Sequence, residues 1–292
     1  MTHQDAGWRP GAPHGEIVGL AAAVGEAWQL ASQKAGEQEC EEGGPLDELV
    51  HGILPGELLA ICGQKGVGKT SFVLKTAVEA ARKGSFVLFC SLESSAADIG
   101  RRLISIETGV PLESLACSEE GTSESDLLIR TMDQLSALDL FIVDDFSLDC
   151  DHLEAMVCEH ARRSEKLLVI VDRADLLDIA DFDNDGLALK YLKRIAGKAC
   201  ASIVAVFGFD ENDYKYRAKE ICGLTDVALS IAPWGPVNVR KLSGDVTKIS
   251  VLKNRRGPSF ECEYWFDPES QRFIEYQRIH DATELLSGRT EE

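Results

Sequence analysis

No stretch of this chain approaches the roughly 20 consecutive apolar residues that a membrane-spanning helix needs, which excludes a helical integral membrane protein. The opening residues, MTHQDAGWRP, lack a basic segment followed by an apolar one, so no secretory leader is expected. The nine cysteines are an odd number and contain no C-x-x-C pair. Cys62, Cys90 and Cys200 lie in or beside strand-like apolar runs, where a small buried thiol is the plain expectation. Disulfide and zinc frameworks are set aside on that ground, and a reducing, cytoplasmic setting is inferred. Positive charge is scarce: 30 Lys and Arg stand against 49 Asp and Glu, a net charge of −19. A domain that lives on nucleic-acid phosphates ordinarily carries a basic face, so this balance counts against such a role, although local patches weigh more than the sum. What remains is an ordinary globular composition, with 292 residues, 45% apolar and 27% charged, enough for one large domain or two small ones.

Residues 1–45 read as an appendage. From Ile17 to Ala35 apolar residues recur at near-helical spacing, which predicts one amphipathic helix. The acidic stretch from Gly36 to Pro45 follows as a linker. The helix serves either to dock a neighbouring subunit or another protein, or simply to fold back on its own domain. Beyond it the rhythm changes. Apolar runs at Glu57–Cys62, Ser85–Cys90, Leu138–Val143, Lys166–Val171 and Ala201–Phe207 read as strands. Helical patterns separate several of them, at Thr70–Lys83, Ala96–Thr108, 150–163 and 186–199. Short, fully hydrophobic strands alternating with helices predict an α/β fold with a mostly parallel sheet. After Asp226 the pattern turns to strands only, at Val227–Ala232, Lys248–Lys253, Glu261–Phe266 and Arg272–Tyr276, read as an antiparallel extension of the same sheet. No internal repeat is visible.

The sharpest local signal is Gly63-Gln64-Lys65-Gly66-Val67-Gly68-Lys69-Thr70, a full G-x-x-x-x-G-K-[ST] phosphate-binding loop followed by Ser71. Background residue usage would produce such a match in a chain this long about once in a hundred. The loop follows a predicted strand and opens a predicted helix, as its physics requires. Glycines let backbone N–H groups wrap phosphates at a helix N-terminus whose partial charge favours them. Lys69 then reaches the β- and γ-phosphates of ATP, and Thr70 offers its hydroxyl to Mg²⁺. Such a loop also needs an acid at the end of a neighbouring strand. Asp172, after Val169-Ile-Val171, and Asp144-Asp145, after Phe141-Ile-Val143, both have that form. A third acid, Glu93, follows the second strand in Ser91-Leu92-Glu93, placed either to polarise an attacking water as a general base or to favour the N-terminus of the next helix.

In order along the chain, Gly56-Glu-Leu-Leu, the phosphate loop, Ser91-Leu-Glu93, Ile142-Val-Asp-Asp145, Val169-Ile-Val-Asp172 and Lys253-Asn-Arg255-Arg-Gly-Pro258 resemble the C-terminal ATPase domain of DnaB-type replicative helicases. That domain belongs to the superfamily-4 branch of RecA-like ATPases, and the resemblance covers roughly residues 46–276. It implies a RecA-like P-loop NTPase over 46–292, with helices on both faces of the sheet. It assigns phosphate and Mg²⁺ contacts to Lys69 and Thr70, water activation to Glu93, and the remaining metal-shell acid to Asp172. It makes Lys253 and Arg255 a pair reaching the γ-phosphate of a neighbouring subunit's ATP, against the plainer reading of a solvent-facing basic strand end. It further implies a homo-oligomeric ring, a hexamer, that acts on single-stranded DNA in replication.

The departures from the family matter as much. Phe207-Gly-Phe-Asp-Glu211 stands where the family places Ser-Gln-Leu-Asn-Arg, so the Gln that senses the γ-phosphate is missing. The stretch Asp178–Asp185, where a pore loop contacts DNA in the family, carries four carboxylates that repel phosphates. The next loop, 213–219, offers Lys215, Arg217 and Lys219 with two tyrosines, either to track a strand or as a solvated helix face. About 45 residues stand where full replicative helicases carry a large helical domain. Three functions follow: a motor on single-stranded DNA, a nucleotide-gated regulatory or assembly ATPase without strand translocation, and an inactive scaffold that binds a replication partner.

Overall fold

The computed structural model of the chain describes residues 17–19, 50, 52–116, 122–178, 185–209, 214–236 and 245–275. Its strands are β1 (Ile17–Gly19), β2 (Leu58–Gly63), β3 (Phe86–Ser91), β4 (Leu140–Val143), β5 (Leu167–Asp172), β6 (Ser202–Gly208), β7 (Val227–Pro236), β8 (Asp245–Asn254), β9 (Glu261–Asp267) and β10 (Arg272–Glu275). The helices are α1 (Lys69–Arg82), α2 (Ala96–Thr108), α3 (Ser123–Ser136), α4 (Cys150–Ala161), α5 (Asp185–Ala199) and α6 (Tyr214–Leu224). The strands make one sheet in the order β1-β4-β3-β5-β6-β2-β7-β8-β9-β10. From β4 to β7 neighbouring strands run parallel, and β8, β9 and β10 add antiparallel.

The parallel strands are continuous apolar runs because both of their faces are covered. Successive side chains alternate between two cores. Leu59 and Ile61 of β2 pack with α1, α2 and α3, together with the aromatic side chains of β9 and β10. Leu58, Ala60 and Cys62 pack with α4, α5 and α6. This two-faced burial makes the sheet a rigid platform, and every loop at the carboxyl ends of its strands stands on it. The helices start where the sequence supplies caps. Ser95 accepts a hydrogen bond from the Asp98 amide at α2, Thr122 from Ser125 at α3, and Asp149 from His152 at α4.

The expected α/β, RecA-like class with a mostly parallel sheet and an antiparallel extension is the observed one, with local corrections. Ile17–Gly19 is a strand, where the apolar spacing predicts an amphipathic helix from Ile17 onward. It pairs antiparallel with the outer edge of β4, Ile17 opposite Val143 and Gly19 opposite Phe141. The physical reason is that β4 would otherwise be a bare edge with unpaired backbone groups, and two β-branched residues suit a strand. The rest of the predicted helix and the acidic linker lie outside the described residues. The antiparallel extension begins one strand later than expected, because β7 runs parallel to β2. Helix α3 has no counterpart in the sequence reading, and Tyr214–Lys219 belongs to helix α6 rather than to a loop. Cys62 and Cys90 are buried, but Cys200 is exposed, since it takes the left-handed turn (φ 51°) that ends α5 and reverses the chain into β6.

Candidate nucleotide site

The carboxyl end of β2 leads through Gly63 into the phosphate loop, and α1 begins at Lys69. Two glycines are dictated by what surrounds them. A Cβ on Gly63 would lie 2.3 Å from the Ile231 carbonyl oxygen of neighbouring β7. Gly68 has φ +86°, and a Cβ there would meet Phe273 at 2.7 Å and Phe266 at 2.8 Å. The β9–β10 hairpin therefore lays an aromatic pad against the first turn of α1. Val67 packs into the same core, while Lys65 and Gly66 are exposed. Lys69 is buried, and its Nζ donates to the Gly63 and Gln64 carbonyls at 2.9 and 2.6 Å. Burial lowers the pKa of its ammonium, and the Asp172 carboxylate opposes that shift. The Ser71 hydroxyl is committed elsewhere, donating to Gln271 Oε1 at 2.9 Å in the hairpin turn.

Of the acids considered, Asp172 is the one brought to this loop. It ends β5, opposite Ser91 of β3, and Thr70 hydrogen-bonds to its carboxylate. Only 3% of the residue is exposed, and its Oδ1 has no hydrogen-bond partner. Burial raises its pKa, against the pull of Thr70 and Lys69. A buried carboxylate oxygen without a partner beside a threonine hydroxyl is a hard-oxygen donor set, the kind a Mg²⁺ ion accepts. The alternatives are spent on local structure. Asp144 Oδ2 accepts the Ala96 amide at 2.9 Å, and Asp145 Oδ1 accepts both the amide and hydroxyl of Ser147 at 2.9 Å.

Glu93 does not cap α2, a task that Ser95 performs. Its carboxylate, 57% exposed, pairs with Arg173 at 2.7 Å. Arg173, which the sequence reading does not single out, follows Asp172 directly in a left-handed conformation (φ 69°). Its Nε and Nη2 also grip Asp175 at 2.8 to 3.1 Å, and Asp175 Oδ1 accepts the Gly208 amide at 3.1 Å. The only signal in the sequence is a cation immediately after a strand-end acid, a pattern without meaning until β3, β5 and β6 are placed side by side.

Lys253 and Arg255 are not brought to this loop. Lys253 Nζ donates to the Cys222 and Thr225 carbonyls at 2.6 and 2.5 Å. Arg255 Nη1 meets Asp226 Oδ1 at 3.1 Å, and buried Asp226 also accepts from the Leu58 amide at 2.9 Å and from Lys193 at 2.6 Å. The strand register fixes the separation. Val227 pairs with both Leu59 and Asn254, at the amino end of β2, whereas Gly63 pairs with Ile231 at its carboxyl end. A six-residue strand spans about 20 Å, so within one subunit Arg255 and Lys69 stand at opposite ends of the sheet. Of the expected strand-contacting loops, 179–184 lies outside the described residues, as does Asp213. In α6 the Arg217 guanidinium sits 5.3 Å from the centre of the Phe209 ring, and Lys219 is exposed.

Comparison with known proteins agrees with this fold. Residues 43–207 match the family described as DnaB-like helicase C terminal domain. The chain is 26% identical over 219 residues to a protein named probable replicative DNA helicase from Guillardia theta, covering 71% of this chain and 36% of that protein. It is also 26% identical over 227 residues to a RecA protein of Brucella anthropi, covering 73% of this chain and 56% of that one. The chain thus spans between 29% and 56% of the length of these curated relatives. Among solved structures, one described as an ATPase domain superposes with a TM-score of 0.67 at 16% identity, covering 76% of this chain and 85% of that one. A DnaB-like replicative helicase, described together with its interactions with primase, gives 0.66 at 17%, covering 76% of this chain and 58% of that one. With the family match covering more than half of its length, the chain belongs to the DnaB-like helicase C-terminal domain family.

Proposed function

We propose that this chain binds Mg²⁺-ATP at the Gly63–Ser71 loop and hydrolyses it at the interfaces of a homo-oligomeric ring, as a DnaB-like motor acting on single-stranded DNA in replication. The observation that carries the reading is Asp172, a buried acid with an unpartnered oxygen, hydrogen-bonded by Thr70 and coupled to the Lys69 charge. Thr70 and Asp172 would hold the Mg²⁺, which when bound neutralises phosphate charge and polarises the transferring group. Lys69 would turn from its loop carbonyls to the β/γ-phosphates. Glu93, exposed and just beyond the end of β3, would accept the proton of the attacking water.

Arg255 supports the ring. Its place at the amino end of the sheet, with its side chain 57% exposed, leaves it able to face another subunit's nucleotide but not its own. A role for the N-terminal segment as a docking element is narrowed by the pairing of Ile17–Gly19 with β4. One alternative has specific support. Gly208 stands where the family carries its Gln, Asp178–Asp185 is acidic, and Arg217 stacks on Phe209, all of which favour a regulatory or assembly ATPase that does not move along a strand. The ATPase rate of size-defined oligomers, with and without single-stranded DNA, separates the two. Stimulation by DNA supports the motor. A rate indifferent to DNA, with no binding even at low salt, supports the regulatory enzyme.

A further inference from the structure

Arg173 is an arginine with too many duties for a loop residue. It adopts a left-handed backbone conformation (φ 69°), which is uncommon for a residue with a side chain and persists only where its surroundings hold it. Its side chain is 13% exposed, although it carries a full charge. One side of the guanidinium is fixed, with Nε and Nη2 on Asp175, whose Oδ1 is itself pinned by the Gly208 amide. The other side, Nη1, holds the Glu93 carboxylate at 2.7 Å. The group lies against the backbone of Gly208, where a Cβ would come within 3.2 Å of Nε and 3.4 Å of Cζ. Gly208 pairs with Gly63, the first residue of the phosphate loop, and the Phe209 amide donates to the Gly63 carbonyl. Burial lowers the Lys69 pKa, and the Arg173 charge acts in the same direction. Three elements thus converge on a cation whose anchored half faces β6 and whose Nη1 half binds Glu93, the acid proposed above to activate water.

We propose that Arg173 is a nucleotide-sensing residue that reads the terminal phosphate in cis: its Asp175-anchored guanidinium holds Glu93 until a triphosphate draws Nη1 away, and so couples nucleotide identity to the release of Glu93. This rests on the nucleotide reading of the Gly63–Ser71 loop. The chemistry follows from charge. Nη1 carries two N–H donors, and a γ-phosphate beside Lys69, with more negative charge than a carboxylate, would draw them to itself and repel Glu93. A diphosphate lacks that group and leaves the Arg173–Glu93 pair intact. Asp175 keeps the guanidinium from following its new partner, so Glu93 is freed without moving the cation away. A lysine at this position retains charge but has no fork with which to hold two partners at once.

The test is equilibrium binding, in Mg²⁺, of a fluorescent non-hydrolysable ATP analogue and of the matching ADP analogue. Wild type should favour the triphosphate. Arg173→Ala should lower triphosphate affinity by about 10- to 100-fold, the worth of one hydrogen bond between charged groups, and leave ADP affinity within about twofold. Glu93→Gln, which removes the competing anion, should raise triphosphate affinity and leave ADP binding alone. Arg173→Lys should fall between wild type and Arg173→Ala. Equal loss for both nucleotides in Arg173→Ala, or an unchanged ratio, overturns the proposal, as does a wild type without preference. If Arg173→Ala fails to fold, Glu93→Gln decides alone, and unchanged triphosphate affinity there overturns it. Lys69→Ala, run alongside, separates the two readings: if it binds both nucleotides as wild type does, the nucleotide site itself is misassigned.

Discussion

At Gly63 the backbone of β7 passes so close that a single methyl group would collide with the Ile231 carbonyl, so the phosphate loop begins where no side chain fits. Local partners divide the strand-end acids. Asp144 and Asp145 are consumed by amides and a hydroxyl, Asp172 retains a free oxygen, and Glu93 is held by a cation while open to water. Two substitutions test these roles. Lys69→Ala removes the charge proposed to meet the β/γ-phosphates and should reduce ATP turnover to background. Glu93→Gln should leave nucleotide bound and slow hydrolysis by about 10²- to 10⁴-fold, the usual contribution of a general base. Single-turnover hydrolysis measured beside nucleotide binding distinguishes them, and near-normal turnover in Glu93→Gln would remove Glu93 from the chemistry.

Elements meet at two places, one at each end of the sheet. One is the β9–β10 hairpin over the start of α1, where the Phe273 ring lies 4.8 Å from Phe266, 5.9 Å from Phe72 and 6.2 Å from Tyr264, centre to centre. Phe273→Ala should cost about 3–5 kcal/mol, the range for deleting a buried ring, and weaken nucleotide binding because the first turn of α1 loses its backing. Calorimetry with an ADP titration checks both, and a loss of stability with unchanged affinity would reduce the hairpin to a core lid. The other is Asp226, which joins the starts of β2 and β7 to Lys193 of α5 and to Arg255 after β8. Burial pushes its carboxyl up, but the hydrogen bonds from Lys193 and the Leu58 amide, with the Lys193 and Arg255 charges, carry it below its ordinary 3.8. A carboxyl with a depressed folded pKa stabilises the fold above its unfolded pKa and loses that contribution as the pH falls through its folded value. Asp226→Asn should therefore lower the urea midpoint near neutral pH, with the gap from wild type closing below about pH 4. A gap of equal size in acid would mean that Asp226 acts through shape rather than charge.

At the scale of the molecule, the sheet register separates the phosphate loop from Arg255 by the length of β2, and a net charge of −19 leaves cations to act one by one. A cation supplied across an interface to the transferring phosphoryl group is often worth about 10³- to 10⁵-fold in rate. An isolated subunit should accordingly bind ATP and hydrolyse it poorly, with activity rising more than linearly with protein concentration. Mixing the inactive variants Lys69→Ala and Arg255→Ala should restore part of the turnover, because some interfaces then join an intact loop to an intact arginine. If the two co-assemble and nothing returns, Arg255 does not act in trans.

Much of this was legible along the chain because its signals are local. Fully buried parallel strands must be apolar throughout, so β2 to β6 announce themselves within a residue or two, and a phosphate loop needs its glycines, lysine and threonine to be contiguous. The ambiguities lay wherever a residue's meaning depends on a partner distant in sequence. Ile17 and Val18 fit a helical stripe until the open edge of β4 makes a strand of them. Asp172 and Asp145 are alike as strand-end acids until Thr70 stands beside one and Ser147 caps the other. Arg173 carries no motif at all, and its place between Glu93, Asp175 and Gly208 exists only because β3, β5 and β6 are neighbours in the sheet. The sequence by itself determined the buried strands β2 to β6, the phosphate loop and the acids on offer, since backbone propensity and hydrophobic period act over a few residues. The tertiary structure alone decided which acid keeps a free oxygen and which acid meets a cation, since hydrogen bonds and charge pairs act over a few ångströms between segments far apart in the chain.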